Sequence, residues 1–292
     1  MINMINLTDY LDKLSIIKVL SFFLLVILVL TLIPMIFDFH LGSLFFKFIL
    51  YLVMLLFFIY KFNSISKKNS SSNFNYNSSS NRDSNSVNNS SLSDAFRNDL
   101  NSIFKVSKIY HILFIVLANI LFVSAIYFVL SYLGSISIIQ FNAPLFGDFT
   151  GLGFDVTLLY LITVVILSPI IEEFLFRGIF LRRFNLELDN LTLAILISSV
   201  LFGICHNFGG ILGAILFGIC VSILYVKSRN VLVPILAHFI NNLISFLLAL
   251  IGIENFIHGN SIVIALIIIL AIISNFVLFR AIVLEWPKSF KE

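Results

Sequence analysis

Residues 156–178 read VTLLYLITVVILSPIIEEFLFRG, an apolar run that ends in two glutamates and an arginine. The run places Glu172, Glu173 and Arg177 deep in what should be membrane. A charged side chain near the centre of a lipid-spanning helix costs roughly 3 kcal/mol, so such groups face a protein interior and usually mark function. This stretch therefore predicts a membrane helix that carries a functional site.

The spacing of the three charges predicts different roles for the two glutamates. Glu173 and Arg177 are four residues apart with the acid first, so they lie on one helix face and can form an ion pair. Glu172 is turned by about 100° from Glu173 on a helix of 3.6 residues per turn. We therefore expect Glu173 and Arg177 to support the structure, and Glu172 to be the chemically free carboxylate.

The composition of the 292-residue chain is that of a membrane protein. It is 60% hydrophobic and only 11% charged, with a mean hydropathy of +1.07, whereas soluble domains are about 25% charged. The predicted fold class is an all-α, polytopic membrane helical bundle with about eight transmembrane helices. The predicted spans cover residues 16–37, 45–62, 109–133, 156 to about 183, 191–206, 211–226, 231–250 and 261–279.

The basic residues fall on alternate loops of these eight spans. That distribution satisfies the positive-inside rule if both termini are cytoplasmic. The expected location is the cell membrane, with multiple passes and the lipid bilayer as a partner. The net charge of +3 gives no indication of nucleic acid binding, and no nucleic acid partner is expected.

Further polar groups occur in two later spans. His206 ends the stretch FGICH at 202–206, and His238 and Asn242 bound the stretch HFINN. Alone, each has a plain structural explanation as a hydrogen-bonded helix contact. Imidazole and carboxamide can also both present N–H donors, as a developing oxyanion requires. The free-energy cost of placing these groups and Glu172 in the bilayer is lowest if they all line one water-filled cavity.

The combined pattern resembles the CPBP family of membrane proteases. The matching motifs are E-E-x-x-x-R at 172–177, F-x-x-x-H at 202–206 and H-x-x-x-N at 238–242, in the family's order. The family includes the type II CAAX prenyl endopeptidases and the bacteriocin-processing or self-immunity proteases. The recognisable core is 156–250, within a predicted catalytic membrane domain at 109–292. Two N-terminal transmembrane helices at 1–62 and a Ser/Asn-rich, flexible cytoplasmic linker at 63–108 precede it.

The resemblance implies an intramembrane endopeptidase that acts on membrane-associated substrates, by CAAX-type prenyl protein or leader-peptide processing. Glu172 would be the general base, His206 would help hold the attacking water, and His238 and Asn242 would form the oxyanion site. Glu173 and Arg177 would be supports. The expected partner is a peptide, or a prenylated or other membrane-associated protein.

Two alternatives stay open at this stage. In a metal-dependent version, Glu172, His206 and His238 would hold zinc with one open position. No H-E-x-x-H motif is present, and Asn242 fits an oxyanion role better than a ligand role, so no cofactor is expected and zinc is the alternative. A catalytically silent membrane scaffold or immunity protein of the same fold would keep the helices without the chemistry.

Overall fold

The computed structural model describes residues 6–37, 42–77, 91–106, 108–141, 145–146, 149 and 152–289. Regular secondary structure in these residues is entirely helical, which confirms the predicted all-α class. The α-helices are α1 (Leu7–Asp12), α2 (Ile16–Ile36), α3 (Ser43–Asn77), α4 (Leu92–Val106), α5 (Ile109–Ser135), α6 (Phe154–Tyr160), α7 (Ser168–Glu173), α8 (Arg182–Leu188), α9 (Leu191–Ile204), α10 (Ile211–Ser228), α11 (Leu232–Leu250), α12 (Ile253–His258) and α13 (Ser261–Glu285).

The charged motif lies in one long composite helix. Two π-helical segments, Leu161–Leu167 and Phe174–Leu181, join α6, α7 and α8 end to end. The result is the 35-residue span Phe154–Leu188, called the site helix below. One π-helical segment precedes α7 and the other follows it, and α7 carries both glutamates. π-Helical turns within α-helices are frequent at functional sites.

The described residues contain seven helices that are long and apolar enough to cross a membrane. The apolar helix α9 is shorter, with 14 residues. These eight helices correspond one to one with the eight predicted spans. The chain is therefore a multi-pass membrane protein, as its composition predicts.

The predicted flexible linker at 63–108 needs a correction at both of its ends. Helix α3 continues to Asn77, and α4 occupies Leu92–Val106. In α4, Ala95 and Ile103 are buried and occur at helical spacing, which gives the helix an apolar face. The mean composition of residues 63–108 does not reveal this face, because the neighbouring Ser/Asn-rich residues dominate the average. Residues 78–90 lie outside the described residues.

Among the described helices, α1, α3, α9, α10 and α11 pack against the site helix and fix its position. Two aromatic side chains of α3, Phe58 and Phe62, contact the ring of Phe174 edge-on at 5.3 and 5.8 Å between centroids. The second predicted span is therefore packed directly against the charged motif.

Candidate active site

A buried ion pair lies at the centre of the site. Glu173 and Arg177 are both 0% exposed, and Nη1 of Arg177 donates to Oε1 of Glu173 at 3.0 Å. This is the pairing that the four-residue spacing predicts. The same Oε1 also bonds Nδ1 of His238 at 2.9 Å, so the pair links the site helix to α11.

The guanidinium of Arg177 is held on two further sides. Its Nη2 donates to the carbonyl oxygen of Gly218 in α10 at 3.2 Å, and its Cζ lies 4.4 Å from the centroid of the Phe202 ring. Cation–π contact of this kind favours a desolvated arginine. Arg177 thus joins the site helix to α9 and α10, while Glu173 joins it to α11.

Both candidate histidines contact the same aromatic ring. The Phe202 centroid lies 4.7 Å from the His206 ring and 5.5 Å from the His238 ring. His206 is also within electrostatic range of Glu172 and of His238. The structure therefore brings residues 172, 206 and 238, predicted from three separate motifs, into one region of the bundle.

Glu172 forms no ion pair with a described residue, but two hydroxyl groups hold its carboxylate. Its Oε1 accepts a hydrogen bond from the Tyr51 hydroxyl at 2.8 Å and another from the Ser168 hydroxyl. The spacing of the charges along the helix addresses only charged partners, whereas both partners in the structure are neutral hydroxyls. Within the described part of the chain, no hydrogen bond reaches Oε2, so one carboxylate oxygen is anchored and the other can accept a proton.

The hydrogen bonds of the two imidazoles fix where their protons lie. Nδ1 of His206 is 2.9 Å from the carbonyl oxygen of Phe202, which can only accept, so this nitrogen carries a proton. Nδ1 of His238 likewise faces the carboxylate of Glu173. The Nε2 atoms are the remaining functional nitrogens: each accepts when its ring is neutral and donates when the ring is doubly protonated.

Asn242 contacts the backbone of the site helix. Its Nδ2 donates to the carbonyl oxygen of Val164 at 2.9 Å, and its Oδ1 accepts from Asn241 at 3.3 Å. The amide group has two N–H bonds, so one is committed to Val164 and the second is available to a ligand. His238 and Asn242 share a helix face, as predicted, and both attach α11 to the site helix.

Sequence reasoning missed Tyr51, Ser168 and the ring of Phe202. Ser168 could have been found, because it precedes Glu172 by four residues and so lies on its helix face. Phe202 stands out in the sequence only as the first residue of the F-x-x-x-H motif. Tyr51 carries no signal of its own, since it lies in an aromatic-rich span 121 residues before its partner.

The described side chains do not assemble the zinc site considered as an alternative. No three His, Cys, Asp or Glu side chains among them lie close enough together to hold a metal ion. In addition, Oε1 of Glu172 already accepts two hydroxyl donors. The response of cleavage to a chelator tests whether Glu172, His206 and His238 hold zinc.

The helical fold and this cluster define a polytopic membrane protein with a buried polar site. Residues 154–244, less than half of the chain, match the family model of the type II CAAX prenyl endopeptidase Rce1-like proteins. The match agrees with the family that the three motifs resemble. Among curated proteins, "Putative membrane peptidase YdiL" of Bacillus subtilis (strain 168) is 34% identical over 104 residues. That alignment covers 35% of this chain and 42% of the relative, less than half of either. No solved structure matches the chain.

Proposed function

We propose that the chain is an intramembrane endopeptidase that hydrolyses peptide bonds of membrane-associated substrates. The observation that carries the proposal is that His206 and His238 both contact the Phe202 ring while Glu172 lies within electrostatic range of His206. All four residues lie in the segment that matches the Rce1-like family model. The name of the Bacillus subtilis relative supports the same class of activity. The substrate would be a CAAX-type prenyl protein or a leader peptide.

In this proposal Glu172 is the general base. Its free oxygen Oε2 takes a proton from a water molecule, and the resulting hydroxide attacks the carbonyl carbon of the peptide bond. Nε2 of a neutral His206 accepts the second water hydrogen and so orients the nucleophile. The carboxylic acid of Glu172 then returns its proton to the departing amine as the C–N bond breaks.

His238 and Asn242 would stabilise the oxyanion of the tetrahedral intermediate. Asn242 offers the N–H that is not bonded to Val164, and His238 offers Nε2–H in its doubly protonated form. The Glu173 carboxylate, which bonds Nδ1 and is shared with Arg177, offsets part of that positive charge. Preorganised donors of this kind each contribute about 100- to 1,000-fold to kcat in acyl-transfer enzymes, so the mechanism needs no metal.

The direct test uses purified full-length protein with fluorogenic prenylated CAAX peptides, their unprenylated counterparts and leader peptides. We expect Glu172→Ala and His206→Ala to lower kcat by about 100- to 10,000-fold, the usual range for lost acid–base catalysis. The surface variant Glu187→Ala is the matched carboxylate control and should retain activity. Chelator should have no effect on the wild type.

Three outcomes would contradict the proposal. Cleavage that survives Glu172→Ala and His206→Ala would remove the assigned mechanism. Loss of activity with chelator, restored by zinc, would replace it with the metal-dependent version. A wild-type protein that binds but cleaves none of the peptides would favour the silent scaffold of the same fold.

A further inference from the structure

The hydroxyl of Tyr51 reaches Glu172 from a helix outside the family-matched segment. Tyr51 lies in α3, whereas the match covers only residues 154–244. Its hydroxyl donates to Oε1 of Glu172 at 2.8 Å, and the Ser168 hydroxyl donates to the same oxygen. Two donors converging on one oxygen fix the rotation of the carboxylate, so its other oxygen faces in one direction.

Packing on α3 holds the Tyr51 side chain in this place. Leu50, Met54 and Phe58 on the same helix are buried, with Met54 and Phe58 at 0% exposure. Phe58 and Tyr51 are seven residues apart, or about two helical turns, so they share a face. The ring of Phe58 packs against Phe174 on the site helix. This contact between the two helices places the Tyr51 hydroxyl next to Glu172.

We propose that Tyr51 is a positioning residue for the catalytic carboxylate. Together with Ser168 it holds Oε1 of Glu172, so that Oε2 is aimed at the water to be deprotonated. The inference rests on the proposed function, because it assigns Glu172 the role of general base. It also makes the second membrane helix part of the catalytic unit rather than an attached anchor.

The kinetic test compares Tyr51→Phe with a matched control. The phenylalanine keeps the ring and loses only the donor. A hydrogen bond to a charged group corresponds to about 10- to 100-fold, so kcat should fall by that factor while KM stays within about twofold, since Tyr51 acts through Glu172 and not on the substrate. The control is Tyr127→Phe, which removes the 2.7 Å hydrogen bond to Glu254 in a separate hydrophobic cluster and should leave kcat unchanged.

Removing the second donor tests whether the two hydroxyls act on one oxygen. Ser168→Ala should also lower kcat. The fold-decrease in kcat of the double variant should be smaller than the product of the two single decreases, because a carboxylate that has lost one donor is already poorly oriented. An unchanged kcat in Tyr51→Phe would overturn the inference. A raised KM with an unchanged kcat would also overturn it, because Tyr51 would then contact the substrate.

A measurement without substrate separates this inference from the proposed function. Removing the tyrosine donor should shift the carboxylate stretching band in the infrared difference spectrum of Tyr51→Phe minus wild type. The band should be absent when the same difference is taken in the Glu172→Gln background. No band in either background, with Glu172→Gln inactive, would refute this inference and leave the proposed function standing. A band together with full activity in Glu172→Gln would refute the proposed function, and the positioning role with it.

Discussion

Asn242 donates its side-chain N–H to the carbonyl oxygen of Val164, at 2.9 Å. Val164 lies in the first π-helical segment, where the N–H of Ser168 bonds the carbonyl of Thr163, five residues back. The next bond in that register would run from residue 169 to Val164. Residue 169 is a proline, which has no N–H, so Asn242 supplies the donor that the backbone lacks.

This relationship predicts a specific coupling between Asn242 and Pro169. Asn242→Ala should lower the free energy of unfolding by about 1–2 kcal/mol, because it leaves the Val164 carbonyl without its partner. In the Pro169→Ala background the same substitution should cost less, since an alanine N–H can take over the bond. Thermal unfolding of the four proteins in one detergent measures the coupling.

The same set of variants separates support from catalysis. If Asn242 also binds the oxyanion, the double variant Asn242→Ala/Pro169→Ala should regain stability and still cleave poorly. Recovery of both stability and activity would mean that Asn242 acts only on the helix backbone. Strictly additive unfolding energies would contradict the proposed substitution of one donor for the other.

Local patterns in the sequence predict much of this architecture. The spans follow from hydropathy, and the Glu173–Arg177 pair follows from a spacing of four residues on one helix. By contrast, the partner of Asn242 depends on a π-helical register that sequence periodicity does not reveal. The role of Tyr51 depends on how α3 packs against the site helix, a contact between residues 121 positions apart.

Substitution of the buried Arg177 should lower the free energy of unfolding far more than substitution of an exposed arginine in a pair of the same spacing. Arg177→Met leaves the carboxylate of Glu173 without its cationic partner at 0% exposure, which typically costs about 3–5 kcal/mol. We expect a large loss of folded protein in the membrane fraction and a lower melting temperature. Size-exclusion profiles and thermal unfolding measure both.

The matched control is another i, i+4 pair, Arg183 with Glu187, whose side chains are 52% and 59% exposed. Arg183→Met should cost no more than about 0.5 kcal/mol, because an exposed pair is screened by water. Equal losses from the two substitutions would show that Arg177 does not act as a buried charge partner.

Substitution of Gly218 by alanine should destabilise the protein, whereas the same substitution at Gly210 should not. A Cβ at Gly218 would lie 3.1 Å from the Cβ of Ser199 and 3.2 Å from Nη2 of Arg177. Gly218→Ala should therefore displace the guanidinium or push α10 away from α9, at a cost of about 1–3 kcal/mol. Melting temperature and cleavage rate should both fall.

Gly210→Ala provides the comparison, because a Cβ there meets nothing within 4 Å and its φ of −99° suits any residue. It should leave both measurements close to those of the wild type. A Gly218→Ala protein as stable and active as Gly210→Ala would show that the arginine does not need this close backbone approach.

Asp99 in α4 should make the stability of the protein fall as the pH rises through the weakly acidic range. Its side chain is buried and accepts the backbone N–H of Leu7 at 2.8 Å. Burial is the largest cause that raises its pKa, to about 7, with the Leu7 hydrogen bond lowering it and Asp9 raising it further. An unfolded aspartate titrates near about 4, so between about pH 4 and 7 the native state binds more protons than the unfolded state.

Stability therefore decreases across that window and becomes level above it. Asp99→Asn keeps an acceptor for Leu7 and cannot ionise, so it should be more stable than the wild type at pH 8, by about 1–4 kcal/mol, and similar at pH 4. Asp94→Asn, in the same helix, is the control of opposite sign. Hydrogen bonds from Ser91 lower the pKa of Asp94, so its carboxylate stabilises the fold at neutral pH and the asparagine should not increase stability there. If the difference in melting temperature between Asp99→Asn and wild type stays constant from pH 4 to 8, the Asp99 carboxyl does not keep its proton in the folded protein.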